Sequence, residues 1–331
     1  MENLPPPPAI IIPPVAPQIY LHHTTLASRP KIILLGDSIT ELGAAHPQGW
    51  GVSLGIRYNR RADVVHRGMN GYNSRWGLAA LPLILQEVFP AESTPSGEGA
   101  AGDARSEESG APRKKPRSDS ATGEECLDLG QVSSSLPHPQ PRYPQFTFLI
   151  VYGANDSCLP DGDRTKNHVP LDEYASNLKR MIQRIRTWNE EDVAVALLTP
   201  PPCDTEIQKR SRHNEHVTKL YAEACAKVAS EVGVPVVDLW TGMQLPLSEN
   251  KNHSSFERDQ QWKADYLSDG LHLTPLGNYR LYELVVEALE RPADVEEGRS
   301  GLGLPVSKLP RSYPDHSLVD AIDPEKTFRS E

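Results

Sequence analysis

The stretch KIILLGDSITELG, Lys31 to Gly43, passes from a short apolar run into Gly-Asp-Ser. A continuous apolar run of that length, bounded by turn residues, reads as a strand buried on both faces of a parallel sheet. Four further runs share the character: ADVVHRG (Ala62 to Gly68), QFTFLIVYG (Gln145 to Gly153), VAVALL (Val193 to Leu198) and VPVVDL (Val234 to Leu239). Helical patterns separate them. In DEYASNLKRMIQRIRTW, Tyr174, Leu178, Met181, Ile182 and Ile185 fall on one face, and the mixed-charge segment from Arg210 to Val232 is also helix-like. A last helix is marked by Thr274 as N-cap, Pro275 at the first position and a stripe of Leu281, Leu284, Val285 and Leu289. Strands alternating with helices predict a parallel sheet covered on both faces. Right-handed crossovers then give a doubly wound, flavodoxin-like α/β fold, a three-layer α/β/α sandwich on five parallel strands.

Composition bounds the partners. The chain has 331 residues, enough for one large α/β domain, but 38% hydrophobic content with 31 prolines is low for a uniformly packed globule. Residues 1–30 are proline-rich and expected to be extended. Residues 91–143, rich in Ser, Gly, Glu and Pro, read as a disordered insert between helix and strand, and 291–331 as a polar, loosely held tail. That leaves 31–290, interrupted by the insert, as the folded domain. A net charge of −10 argues against general affinity for nucleic acid or anionic membrane. No run approaches the roughly 18 apolar residues of a membrane span. Cys126, Cys158, Cys203 and Cys225 form no metal-spaced cluster and read as reduced thiols, which points to a cytoplasmic or nuclear setting. Inside the insert, PRKKPR (Pro112 to Arg117) is either an import-factor site or a solvated charge cluster. Nothing in the composition fixes the oligomeric state, so a homo-oligomer stays open.

In an open parallel sheet, ligands bind beyond the carboxyl ends of the strands. There the chain delivers Gly36-Asp37-Ser38, RGMNGYN (Arg67 to Asn73), YGANDS (Tyr152 to Ser157) and, before the last helix, SDGLHLTP (Ser268 to Pro275). Singly, each is ordinary turn or helix-entry chemistry. Four of them on one edge, in this order, are a site. Two other signals carry less. GWGVSLG (Gly49 to Gly55) follows no strand directly and has its third glycine one residue late for a dinucleotide loop, so it is discounted; His213 and His216 lack a third metal ligand and read as solvent-facing histidines.

GDSIT, the NGYN glycine, GAND and DGLH resemble the four signature blocks of the SGNH (GDSL-type) hydrolases. Gly71-Tyr72-Asn73, Arg75-Trp76 and HVPLDEY (His168 to Tyr174) are similar to the isoamyl acetate-hydrolysing esterase branch. Asn70 departs from it, because a Ser or small residue usually stands there. The resemblance implies a serine esterase for small, acetate-type acyl esters, with Ser38 as nucleophile, His272 as general base and Asp269 as its orienting acid. The oxyanion hole would be the Ser38 and Gly71 amides and the Asn155 side chain. Such a machine works through an acyl-enzyme and needs neither metal nor organic cofactor. Two other readings stay open: an acyltransferase on the same residues, and a catalytically idle interaction protein acting through its insert.

Overall fold

In the computed structural model each of the five apolar runs contributes a strand: β1 (Lys31–Gly36), β2 (Asp63–Gly68), β3 (Phe146–Val151), β4 (Val193–Leu198) and the two-residue β5 (Val236–Val237). The structure describes residues 29–89, 143–162, 164–188, 192–210, 213–246, 260–293 and 301–309. The readings made for residues 1–28, for the insert with its PRKKPR run, and for Cys126 lie outside them. All pairings are parallel and the order is β2-β1-β3-β4-β5, the flavodoxin-like order the pattern predicts. The register is flush. Gly36 pairs with both Gly68 and Val151, and Val151 with Leu198, so four strands end in one row.

Alternation along β1 shows why the run is apolar throughout. Ile33 and Leu35 face one layer, with α3 (Ser74–Val88), α4 (Leu171–Trp188) and α5 (Glu215–Val232). Ile32 and Leu34 face the other, built from Ile39 of α1 (Ser38–Ala45), α2 (Trp50–Arg57) and the last helix. The five stripe residues of α4 are all buried. Pro82 inside α3 has no N–H for the carbonyl of Leu78, and Arg184 of α4 donates to that carbonyl instead, at 3.4 Å.

Several boundaries differ from expectation, each for a local reason. α1 and α2 are helices where the sequence pattern marked only a turn and a glycine-bearing segment; their eight-residue lengths leave little periodicity to detect. The helix expected from Arg210 begins at Glu215, because the Asn214 side chain accepts from the amides of His216 and Val217 and sets the start there. β5 stops at Val237, since the Asp238 carboxylate accepts from Thr241 and opens the short α6 (Leu239–Gly242). α7 (Gln261–Tyr266) precedes α8 (Pro275–Glu290), whose cap is Thr274 as expected. Of the α8 stripe, Leu281, Val285 and Leu289 are buried and Leu284 half-buried.

Residues 301–309 are not the loosely held tail that polarity suggested. Leu302, Leu304, Val306 and Leu309 are buried in the α2/α8 layer, and the Leu304 amide donates to Leu289 O at 2.7 Å. Tyr58 donates its hydroxyl to Leu304 O, and Arg61 bonds Leu309 O.

At the opposite rim of the sheet from Ser38, an aromatic group gathers where α3 ends and β3 begins. The Phe89 ring lies 4.3 Å from Phe146 and 5.9 Å from Trp188. Lys31 bonds Val88 O and sits over the Phe146 ring.

Candidate active site

The site is assembled from the turns and helix starts at the carboxyl ends of the strands. After β1, Asp37 caps α1: its Oδ1 accepts from the Ile39 amide at 2.9 Å, so Ser38 becomes the first residue of the helix. Gly36 lets the turn close, since a Cβ there would come within 2.3 Å of Thr40 Oγ1 and 2.7 Å of Val151 O.

Before α8, Asp269 organises its own turn and the imidazole together. Its Oδ1 accepts from the amides of Leu271 (3.0 Å) and His272 (2.8 Å), while Oδ2 meets His272 Nδ1 at 2.7 Å. The ring's other nitrogen, Nε2, lies 3.0 Å from Ser38 Oγ. Burial pushes the Asp269 carboxyl up, but hydrogen bonds from the His272 ring, then from its amide, together with the Leu271 amide, hold it below the ordinary range. The carboxylate therefore stays ionised beside the imidazole. The loop after β4 braces this turn: Asp204 N–H donates to Gly270 O at 2.7 Å and Gln208 Nε2 to Asp269 O at 2.6 Å. Asp204 and Gln208 thus buttress the Asp269–His272 turn.

Gly71 and Asn155 come from the loops after β2 and β3. Asn155 is buried, and its Nδ2 donates to Tyr72 O at 2.9 Å, tying the two loops together. Asn70 N–H donates to Glu41 Oε2 at 2.5 Å, tying the Gly71 loop to the helix that starts at Ser38. Gly71 has φ +76°, the left-handed region, and a Cβ would meet nothing within 4 Å. Glycine is thus explained here by conformation. Among the described residues, neither the Ser38 nor the Gly71 amide has a hydrogen-bond acceptor. All five residues singled out by sequence therefore lie on one edge, with Ser38, His272 and Asp269 in one hydrogen-bonded series.

Sequence reasoning missed a second tier. The Asp156 carboxylate is fully buried and accepts from the Ser74 amide at 3.0 and 3.1 Å; Ser74 Oγ in turn accepts from Asn177. Burial pushes Asp37 and Asp156 each up to about 7 against an ordinary 3.8; in Asp37 the nearby Asp156 charge adds to this. Asn73 caps α3 through Trp76 N–H, and its Nδ2 reaches Asn167 O. Asp37 and Asn73 lie within the quoted segments but were not read as helix caps, and Asp156, Asn167 and Gln208 carried no signal beyond their neighbours. His213 also differs from expectation: it is buried ahead of α5, its Nε2 3.7 Å from Cys158 Sγ, whereas His216 is exposed. Cys158, Cys203 and Cys225 are buried thiols, none of them in a disulfide. No helix of the described residues is long and apolar enough to cross a membrane.

Comparison with known proteins gives concordant matches. Residues 34–280 match the GDSL-like lipase/acylhydrolase family. An isoamyl acetate-hydrolyzing esterase 1 homolog of Rattus norvegicus is 33% identical over 305 residues, covering 89% of this chain and 90% of that protein. A GDSL esterase/lipase of Arabidopsis thaliana is 28% identical over 313 residues, covering 91% and 98%. Among solved structures, a lipase/acylhydrolase from Enterococcus faecalis aligns with a TM-score of 0.44 at 20% identity, over 78% of this chain and 94% of that one.

Proposed function

The chain belongs to the GDSL-like lipase/acylhydrolase family and is a carboxylic ester hydrolase; on that premise we propose that it cleaves small acyl esters, acetates among them, through an acyl-enzyme on Ser38. The observation that carries the reading is the unbroken series from Asp269 Oδ2 to His272 Nδ1 (2.7 Å) and from Nε2 to Ser38 Oγ (3.0 Å). A serine hydroxyl is a weak nucleophile until a base takes its proton, and an imidazole serves only if held in the right tautomer. Asp269 does the holding.

Ser38 Oγ attacks the ester carbonyl carbon as its proton passes to Nε2, and Asp269 stabilises the imidazolium. The carbonyl oxygen becomes an oxyanion, met by the Ser38 amide at the N-terminus of α1, the Gly71 amide and the second Nδ2–H of Asn155. Nε2 then protonates the departing alkoxide, leaving acyl-Ser38. Water, deprotonated by Nε2, attacks the acyl carbon; Oγ leaves with that proton, and the acid is released. The acetate-type preference is supported by the name of the rat relative, an isoamyl acetate-hydrolyzing esterase homolog.

The test is hydrolysis of p-nitrophenyl acetate by Ser38→Ala and His272→Ala, with fluorophosphonate labelling of the unmodified chain. Loss of turnover in both folded variants, and labelling that disappears in Ser38→Ala, is the expected result. Full turnover in either variant refutes the reading.

A further inference from the structure

We propose that Asn167, which stands outside the four signature segments, is a positioning residue that aims the Gly71 amide into the oxyanion hole. The inference rests on the function proposed above. Its starting point is that Gly71 has no side chain to hold it, and the space a Cβ would occupy there is empty within 4 Å. Glycine is also the residue with the widest backbone freedom. A donor that must be fixed in advance of the reaction is therefore carried by the least constrained kind of residue in the chain. Its direction has to come from the hydrogen bonds that hold the backbone on either side of it.

Tyr72 N–H donates to Met69 O at 3.1 Å, closing a turn with Asn70 and Gly71 at its centre, and three side chains, one from α1 and two from the β3–α4 connection, bond the backbone of three consecutive residues. Glu41 of α1 takes the Asn70 N–H, Asn167 Nδ2 donates to Gly71 O at 2.7 Å, and Asn155 donates to Tyr72 O. Only the bond from Asn167 falls on Gly71 itself. Fixing the carbonyl orients the Gly71–Tyr72 peptide, which follows Gly71. With the Met69–Asn70 peptide held through Glu41, the Asn70–Gly71 peptide that carries the Gly71 N–H is tethered on both sides. Asn167 can act as an anchor because it is itself tethered: it is 5% exposed, its amide donates to Arg164 O at 2.8 Å, and its carbonyl accepts from Asn73 Nδ2 at 2.9 Å. Asn73 is in turn the cap of α3, so the anchor is fastened to a helix start.

The experiment compares Asn167→Ala and Asn167→Asp with the unmodified protein and with Ser38→Ala on p-nitrophenyl acetate across pH. Misaiming one donor should lower kcat about 10- to 100-fold in Asn167→Ala while KM changes less than about twofold. Asn167→Asp keeps the shape and controls for folding. Ionised, its carboxylate repels Gly71 O; protonated, its hydroxyl donates as the amide did. Its rate, taken as a ratio to the unmodified protein, should therefore recover as pH falls, which a packing role would not produce. A folded Asn167→Asp whose ratio is flat with pH, or folded variants that turn over normally, overturns the inference. If Ser38→Ala is inactive in the same series, only the role of Asn167 falls; if Ser38→Ala stays active, the parent reading falls.

Discussion

Replacing Asp156 by Asn should change how stability depends on pH more than it changes stability itself. Asp156 is fully buried, and burial carries its carboxyl from 3.8 to about 7. A carboxyl whose folded value is raised favours the protonated fold. Stability is then highest below about pH 4, falls as pH rises toward about 7, and levels off above. At about 1.4 kcal/mol per tenfold change in proton affinity, the move from 3.8 to about 7 corresponds to an upper bound of about 4 kcal/mol lost across that window. Asparagine retains an oxygen to accept from Ser74 N–H and carries no charge to desolvate. The variant should therefore gain about 2–4 kcal/mol relative to the unmodified protein between pH 4.5 and 8, whatever its absolute stability. It should also ease the ionisation of Asp37, on which the Asp156 charge acts. Denaturant unfolding at four pH values measures the difference directly. A stability gap that is the same at pH 4.5 and pH 8 would refute the reasoning, because it would mean Asp156 titrates alike folded and unfolded.

Asn155→Ala removes a side-chain donor and should lower kcat about 100- to 1,000-fold with little effect on KM, read from steady-state kinetics; an unchanged kcat would take Asn155 out of the hole. Gly71→Ala meets no atom but places an L-residue at φ +76°, which costs about 1–2 kcal/mol. It should stay folded by circular dichroism and lose activity out of proportion to its small loss of stability. Leu304→Ala empties a fully buried site in residues 301–309. It should cost about 2–4 kcal/mol and lower Tm by about 5–15 °C in calorimetry; an unaltered Tm would mean this segment does not hold the core.

How much was legible depends on the physics of each signal. The strands were visible because burial on both faces demands an unbroken apolar run, as in KIILLG and VAVALL. The edge of the sheet was visible because turn residues cluster where those runs stop. Helices α1 and α2 were not, since eight residues give barely two turns of period and WGVSLGIR carries two glycines inside. Residues 301–309 were hidden because their polar flanks dominate the composition, although Leu302, Leu304 and Val306 recur at every second position and are all buried. Ser38, Asp269, His272, Gly71 and Asn155 stood out through their company, four polar segments at one edge. Asp156, Asn167 and Gln208 could not stand out. Each acts through a backbone group of a residue distant in the chain, and no local pattern encodes such a bond.

The aromatic group at Phe89, Phe146 and Trp188 has a practical consequence. It fastens the two points from which residues 90–142 depart and to which they return, and both lie on the rim of the sheet away from Ser38. An α/β scaffold whose chemistry is confined to one rim can accept foreign sequence on the other, because the entropy of closing a loop grows only slowly with its length. Phe89 and Phe146 thus flank a graft point: a reporter or affinity module exchanged for residues 90–142 would begin and end close to those two packed rings. Its presence could be scored by an unchanged rate at the opposite rim.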